Sequence, residues 1–160
     1  MSAPGLLATY LRDHHAGSVV GAALARRLAD ENSDNDYGAS IRAVAAEIEE
    51  DKATLESLME RLEVKPDSLK DLTAAAGERL GRLKPNGRWL AYSPLSRLLE
   101  LEGLAMGVTG KLALWRALRR VRGEKVEGID LPALEERAER QRAQIEELRL
   151  RAAGEALVSD

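Results

Sequence analysis

His14, Asp51, Glu102 and Gln141 each fall where the surrounding sequence repeats apolar residues at intervals of three and four, the positions that form one buried face of a helix. With Glu47 and Lys111 they make up a candidate buried polar cluster. Glu102 lies among Leu98, Leu99, Leu101, Ala105 and Met106. A carboxylate there must be paired, coordinated or protonated to withstand desolvation. Lys111, Arg12 and His14 are the nearest partners of suitable type. Two chemistries fit such a cluster. One is a satisfied network of hydrogen bonds and ion pairs that fixes helix register. The other is a mono- or dimetal site built from His14, Glu47, Asp51 and Glu102, since imidazole and carboxylates together suit iron, manganese or zinc. A third use of the interior, binding of a small organic ligand, would require a pocket near Trp89 or Trp115.

Other chemistries find less support. With no cysteine in the chain, disulfides, thiolate metal sites and cysteine nucleophiles are excluded. His14 and His15 are adjacent, and neighbours on a helix point about 100° apart, so they do not chelate one ion together. Asp30, Asn32, Asp34 and Asp36 have the spacing of a calcium loop, but Asn35 stands at the glycine position and Ile41 at the closing glutamate, so a solvated turn is expected. No nucleophile elbow or phosphate loop occurs, and the sequence gives no warrant for an enzyme. Basic and acidic residues number 24 and 27, a balance that points to no nucleic-acid partner. The run Arg116, Arg119, Arg120, Arg122 and Lys125 reads as a helix end complementing its dipole.

The elements that must position these residues are helical. Ala and Leu supply most of the apolar content, phenylalanine is absent and aromatics are 3%, a bias away from strands. The class predicted is all-α, in a single domain over residues 1–160. Leu7, Leu11, His14, Ser18, Gly21, Ala25 and Leu28 give the face of a first helix from Leu6 to about Ala29, and Asp30 to Gly38 is a connection. Ile41, Val44, Ile48, Asp51, Leu55, Leu58 and Leu62 define a second, from Ala39 to about Glu63. Val64 to Tyr92 is too long for a turn, and within it Pro66 opens a short helix to about Leu83 before the break at Pro85-Asn86-Gly87. Ser93-Pro94 caps a third long helix that is apolar nearly all round and runs to about Arg122. Asp130 caps a fourth, whose core face is Leu134, Ala138, Gln141, Ile145, Leu148 and Ala152, with its last residues frayed. Gly17, Gly21, Gly103, Gly107 and Gly110 each cost their helix about 0.8–1.0 kcal/mol relative to alanine, which predicts a close backbone approach, between the first and third long helices of one subunit or across a dimer. Trp89, Tyr92 and Trp115 are expected to seal the end of the core beside the long link.

YLRDHHAG from Tyr10, IEEDKATL from Ile48, LEGLAMGVTGKLALW from Leu101 and QRAQIEELR from Gln141 together resemble the ferritin-like superfamily, and more closely a bacterial family of ferritin-like bundles to which no reaction is assigned. The resemblance implies a four-helix bundle with a long helical crossover between the second and third long helices. Superfamily members that oxidise iron hold two metal ions with a carboxylate on each of two helices and a Glu-x-x-His pair on each of the other two. Glu102 corresponds to one single carboxylate, and Asp13 or His14 to the other. Glu47 and Glu50 have the pair's spacing with glutamate in the histidine slot, while Glu135, Glu136 and Glu139 have no histidine among them. Glu-x-x-His occurs nowhere in the chain.

The expectation is therefore a noncatalytic structural or interaction protein that keeps the ferritin-like frame without its diiron site and carries no cofactor. The alternative is a metal-binding protein or metal-dependent oxidase with an altered carboxylate and histidine ligand set, using iron, manganese or zinc. A homodimer through the third long helix is expected. The opening MSAPGLLATYLRDHH has neither the basic start nor the apolar run of a signal peptide, and no stretch is long and apolar enough to span a membrane, so a cytoplasmic location is expected.

Overall fold

The ends of the helices are set by local chemistry that the computed structural model displays for residues 5–82, 91–121 and 126–158. Among these described residues are the helices α1 (Gly5–Glu31), α2 (Gly38–Arg61), α3 (Leu69–Arg82), α4 (Pro94–Leu118) and α5 (Leu131–Val158), and no strand. At the start of α2 a Cβ on Gly38 would lie 2.4 Å from the Asn32 carbonyl oxygen, so only glycine fits that turn. The other end of α2 closes in a Schellman motif: the Val64 amide donates to the Met59 carbonyl and the Glu63 amide to the Glu60 carbonyl. Glu63 takes the left-handed conformation, φ 55°, and Val64 buries its side chain.

The short helix α3 begins at Leu69, three residues beyond the expected Pro66, because Ser68 is the capping residue. Its hydroxyl accepts from the Asp71 amide at 3.2 Å and donates to the Asp71 carboxylate. On α4 the expected Ser93-Pro94 start is present as a capping box, with Ser93 and Ser96 each satisfying the other's backbone amide. Asp130 caps α5 through the Ala133 amide at 3.0 Å. Helix α4 stops at Leu118 rather than near Arg122, whereas α5 remains helical to Val158 instead of fraying. The Pro85-Asn86-Gly87 break, Trp89, Arg122 and Lys125 lie outside the described residues.

Ion pairs give the helix directions. Arg26 with Glu49 and His15 with Glu56 make α1 and α2 antiparallel. Arg97 with Glu155 and Arg119 with Glu135 do the same for α4 and α5. Helix α1 packs on α2, α3 and α4. The long side chains of Arg137, on α5, and Glu50, on α2, connect those two helices. Among the described residues no helix is long and apolar enough to cross a membrane.

The apolar interior falls into two parts. One gathers Leu28, Ile41, Val44, Leu101, Leu104 and Ile145. The other gathers Leu11, Leu58, Leu112, Trp115, Leu118 and Leu134. On α2, α4 and α5 the residues between the two parts are Asp51, Lys111 and Gln141, so a polar layer divides the core.

Candidate functional site

Each long helix reaches the polar layer by its own periodicity. Asp51 lies between Ile48 and Leu55 on the buried face of α2, and Gln141 between Ala138 and Ile145 on that of α5; both are almost wholly buried. The Lys111 ammonium, from α4, donates to Asp51 Oδ2 at 2.5 Å and to Gln141 Oε1. Gln141 Nε2 donates to Glu47 Oε2 at 2.9 Å and to Asp51 Oδ2 at 3.3 Å. Arg137, one turn before Gln141, reaches over to Asp51 Oδ1 with one guanidinium nitrogen and to Glu50 with another, at 2.8 Å. Both Asp51 oxygens are thus held by fixed donors, two of them cationic. Burial pulls the Lys111 ammonium below its ordinary range, and the Asp51 carboxylate opposes that pull. The arrangement pairs the buried carboxylate with two cations and clamps three helices in register.

Of the six residues in the candidate cluster, Glu47, Asp51, Lys111 and Gln141 come together. Glu102 does not. It is half-exposed on α4 and meets Arg149 at 3.5 Å, not Lys111, Arg12 or His14. The deeply buried carboxylate of α4 is Glu100, two residues earlier, and a helix apolar nearly all round gave no phase by which to choose between them. His14 is also displaced from the expected core position. The buried histidine is His15, whose Nε2 donates to Glu56 at 3.0 Å, while His14 is half-buried with its ring 4.5 Å from that of Tyr10. Arg137 was missed because arginine normally marks a solvent face, and its long stem lets it sit near the rim while its head reaches inward.

A cavity of about 200 Å³ opens beside this layer, between α1, α2 and α4. His14, Asp51, Lys111 and Trp115 line it. Four of the helix glycines also line it, Gly17 and Gly21 from α1 and Gly107 and Gly110 from α4. The expected close backbone approach is absent at these positions: a Cβ on any of the four would meet nothing within 4 Å. The glycines leave space where the helices could have been filled.

Burial holds the His14 imidazole below its usual range, with the Asp13 carboxylate pulling the other way. The unfolded chain therefore takes up this proton first as pH falls, so the stability His14 contributes is complete above about pH 6.5 and is lost as pH drops through the folded value. Replacing it in His14→Gln is expected to remove that loss. Thermal unfolding between about pH 7 and pH 5 should show wild-type Tm falling more steeply than that of the variant; parallel curves would contradict the assignment.

A second polar network lies at the junction of α1, α2 and α4. Glu100 accepts from Arg27 at 2.9 Å and from the Tyr92 hydroxyl at 3.1 Å. Asn32 donates to the Tyr92 oxygen and the Leu28 carbonyl, and accepts from Arg97 at 2.6 Å. Asn32 is fully buried, so the segment read as a solvated turn is anchored inside the protein by its own asparagine. Arg97 and Arg151 both lie over the Tyr37 ring, 4.3 and 4.2 Å from its centroid. Burial raises the Tyr92 hydroxyl well above its usual range. Tyr92 and Trp115 stand near opposite ends of α4 and belong to different parts of the core, so they do not seal one end together.

Among the described residues no group of three or more His, Asp or Glu is placed to hold a metal ion. In the basic run of α4, Arg116 and Arg119 are paired with Glu139 and Glu135 of α5. No family model, curated protein or solved structure matches the chain, and the reading of its function rests on the chemistry of the site itself.

Proposed function

We propose that this chain is a noncatalytic structural or interaction protein built on a ferritin-like four-helix frame. Support for the frame comes from helix direction. The pairs α1–α2 and α4–α5 are antiparallel, and so are α1 and α4, since Arg27 pairs with Glu100 near one end while Leu11 shares the other part of the core with Leu112 and Leu118, so α2 and α4 run the same way. The chain between them has to return along the protein, which is the task of a crossover, and α3 belongs to that return.

The observation that carries the noncatalytic reading is the occupation of Asp51 by Lys111, Arg137 and Gln141. A diiron pair does not fit this donor set. Metal at Asp51 would have to displace two cations hydrogen-bonded to its buried carboxylate. Glu50 is engaged by Arg137 and Glu102 by Arg149, and Glu47, the carboxylate that shares the Gln141 amide with Asp51, is tied to that amide. Homodimerisation belongs to the same proposal and is favoured by the exposed Met106 and Leu95 on the outer side of α4.

Elemental analysis of untagged protein prepared without chelators tests the reading. Iron, manganese and zinc are expected far below one equivalent per chain. One equivalent of any of them, lost in Glu47→Ala, would replace this proposal with the metal-dependent alternative. Absolute mass in solution, measured on the same sample, is expected to be twice that of the chain.

A further inference from the structure

The cavity between α1, α2 and α4 is the feature that a structural frame does not account for. Gly107 is exposed and Gly17, Gly21 and Gly110 are half-exposed, so the cavity opens to solvent on this side, yet a helical position facing a cleft between packed helices ordinarily carries a side chain to fill it. Here the reverse holds. Gly17 and Gly21 on one wall and Gly107 and Gly110 on another each lower helix propensity, yet no neighbouring atom lies close enough to forbid a methyl group. Alanine or a larger residue would both strengthen the helices and fill the gap.

The cavity also has unspent hydrogen-bond donors in its walls. Trp115 is 1% exposed, and its Nε1–H is buried without an acceptor among the described residues. A buried indole N–H ordinarily finds a partner. An ammonium has three protons to donate, and among the described residues Lys111 bonds Asp51 and Gln141. Ile48, Leu55, Leu104, Val108 and Leu114 supply the apolar part of the remaining surface, and Asp13, Ser18 and Lys52 its polar part. The opposing charges of Asp51 and Lys111 cancel locally, and those of Asp13 and Lys52 balance as well, so the site selects neither anion nor cation.

We propose that this cavity is a binding site for a compact, mostly apolar, uncharged small molecule bearing one hydrogen-bond acceptor, such as an aryl or cyclic ketone. A cavity of about 150 Å³ in a protein core can hold benzene, so the volume here suits roughly six to ten non-hydrogen atoms. Apolar atoms of the ligand lie in the space left by the glycines, and its carbonyl oxygen accepts from the Trp115 and Lys111 donors. The inference goes beyond the structural reading above and does not depend on it: ligand binding and metal content are separate measurements.

Acetophenone and toluene, titrated separately into the full chain with ligand-observed NMR, test the site. Acetophenone is expected to bind with a Kd on the order of 0.1–1 mM, the range for about nine non-hydrogen atoms at moderate efficiency. Trp115→Phe keeps an aromatic ring, smaller than indole, and removes the donor. It should weaken acetophenone about threefold to tenfold, the worth of one neutral hydrogen bond, and leave toluene unchanged. Gly17→Leu or Gly110→Leu, confirmed as folded by circular dichroism, should abolish binding of both probes. The proposal is overturned if neither probe binds, if binding survives in a folded leucine variant, or if Trp115→Phe weakens both probes alike or neither.

Discussion

Asp51→Ala is expected to cost about 3–5 kcal/mol of folding stability, because it leaves the cations of a buried ion pair without their counter-charge. The Asp51 side chain is inaccessible to solvent, and the two basic side chains that hold it, Lys111 and Arg137, are 15% and 21% exposed. Gln141 loses a hydrogen bond in the same change. The pH dependence separates this mechanism from simple loss of packing. Asp51 is the principal group keeping the Lys111 ammonium charged against burial, so in the variant Lys111 falls further below the value it has in the unfolded chain. Wherever the unfolded lysine holds its proton and the folded one does not, stability rises with pH. The deficit should therefore shrink from neutral to alkaline pH, as read by urea unfolding midpoints at constant m. Asp51→Leu combined with Lys111→Met should recover more than half of the loss, since apolar replacement of a whole buried pair is often neutral or stabilising. A loss under about 1 kcal/mol, or a double variant no better than the single one, would show that the layer is not the electrostatic clamp described here.

How far the sequence revealed this layer depended on the contrast within each helix. Helix α2 alternates Ile41, Val44, Ile48, Leu55 and Leu58 with charged residues, so its buried face had a sharp phase and Asp51 stood out on it. Gln141 stood out on α5 for the same reason. Helix α4 has apolar residues on nearly every side, and a shift of two residues, about 200° of helix rotation, exchanged the buried Glu100 for the half-exposed Glu102. Helix α1 is rich in alanine and glycine, whose small side chains define a face weakly, so its periodicity does not separate His14 from the buried His15. The glycines carried a true signal with an ambiguous meaning. Glycine records that no side chain is present, and close approach or open space both satisfy that record; only the distances around Gly17, Gly21, Gly107 and Gly110 distinguish them. Arg137 and Asn32 gave no signal, because each belongs to a residue type whose ordinary place is the surface or a turn.

Arg27→Ala is expected to destabilise the chain by about 2 kcal/mol at neutral pH, the scale of a hydrogen bond to a charged group, because Glu100 keeps the Tyr92 hydroxyl but loses its cation. The estimate is smaller than for Asp51 since Arg27 is 38% exposed and water can replace part of its contribution. Burial raises the Glu100 carboxyl above its usual range, while Arg27 and then the Tyr92 hydrogen bond oppose the rise. Removing Arg27 lifts it further. Between the unfolded and folded values the native chain binds the extra proton, so this contribution is fully present below the unfolded carboxyl value and is lost as pH rises through the folded one. The deficit of Arg27→Ala should therefore be largest at neutral pH and should close as the pH is lowered toward about 4.5, where the isolated carboxyl takes up its proton. Glu100→Gln in the Arg27→Ala background removes the charge without removing the side chain, and should restore stability at neutral pH while flattening the pH profile. Equal deficits at both ends of that range would mean that Arg27 acts through its aliphatic stem against α4 and not through its charge.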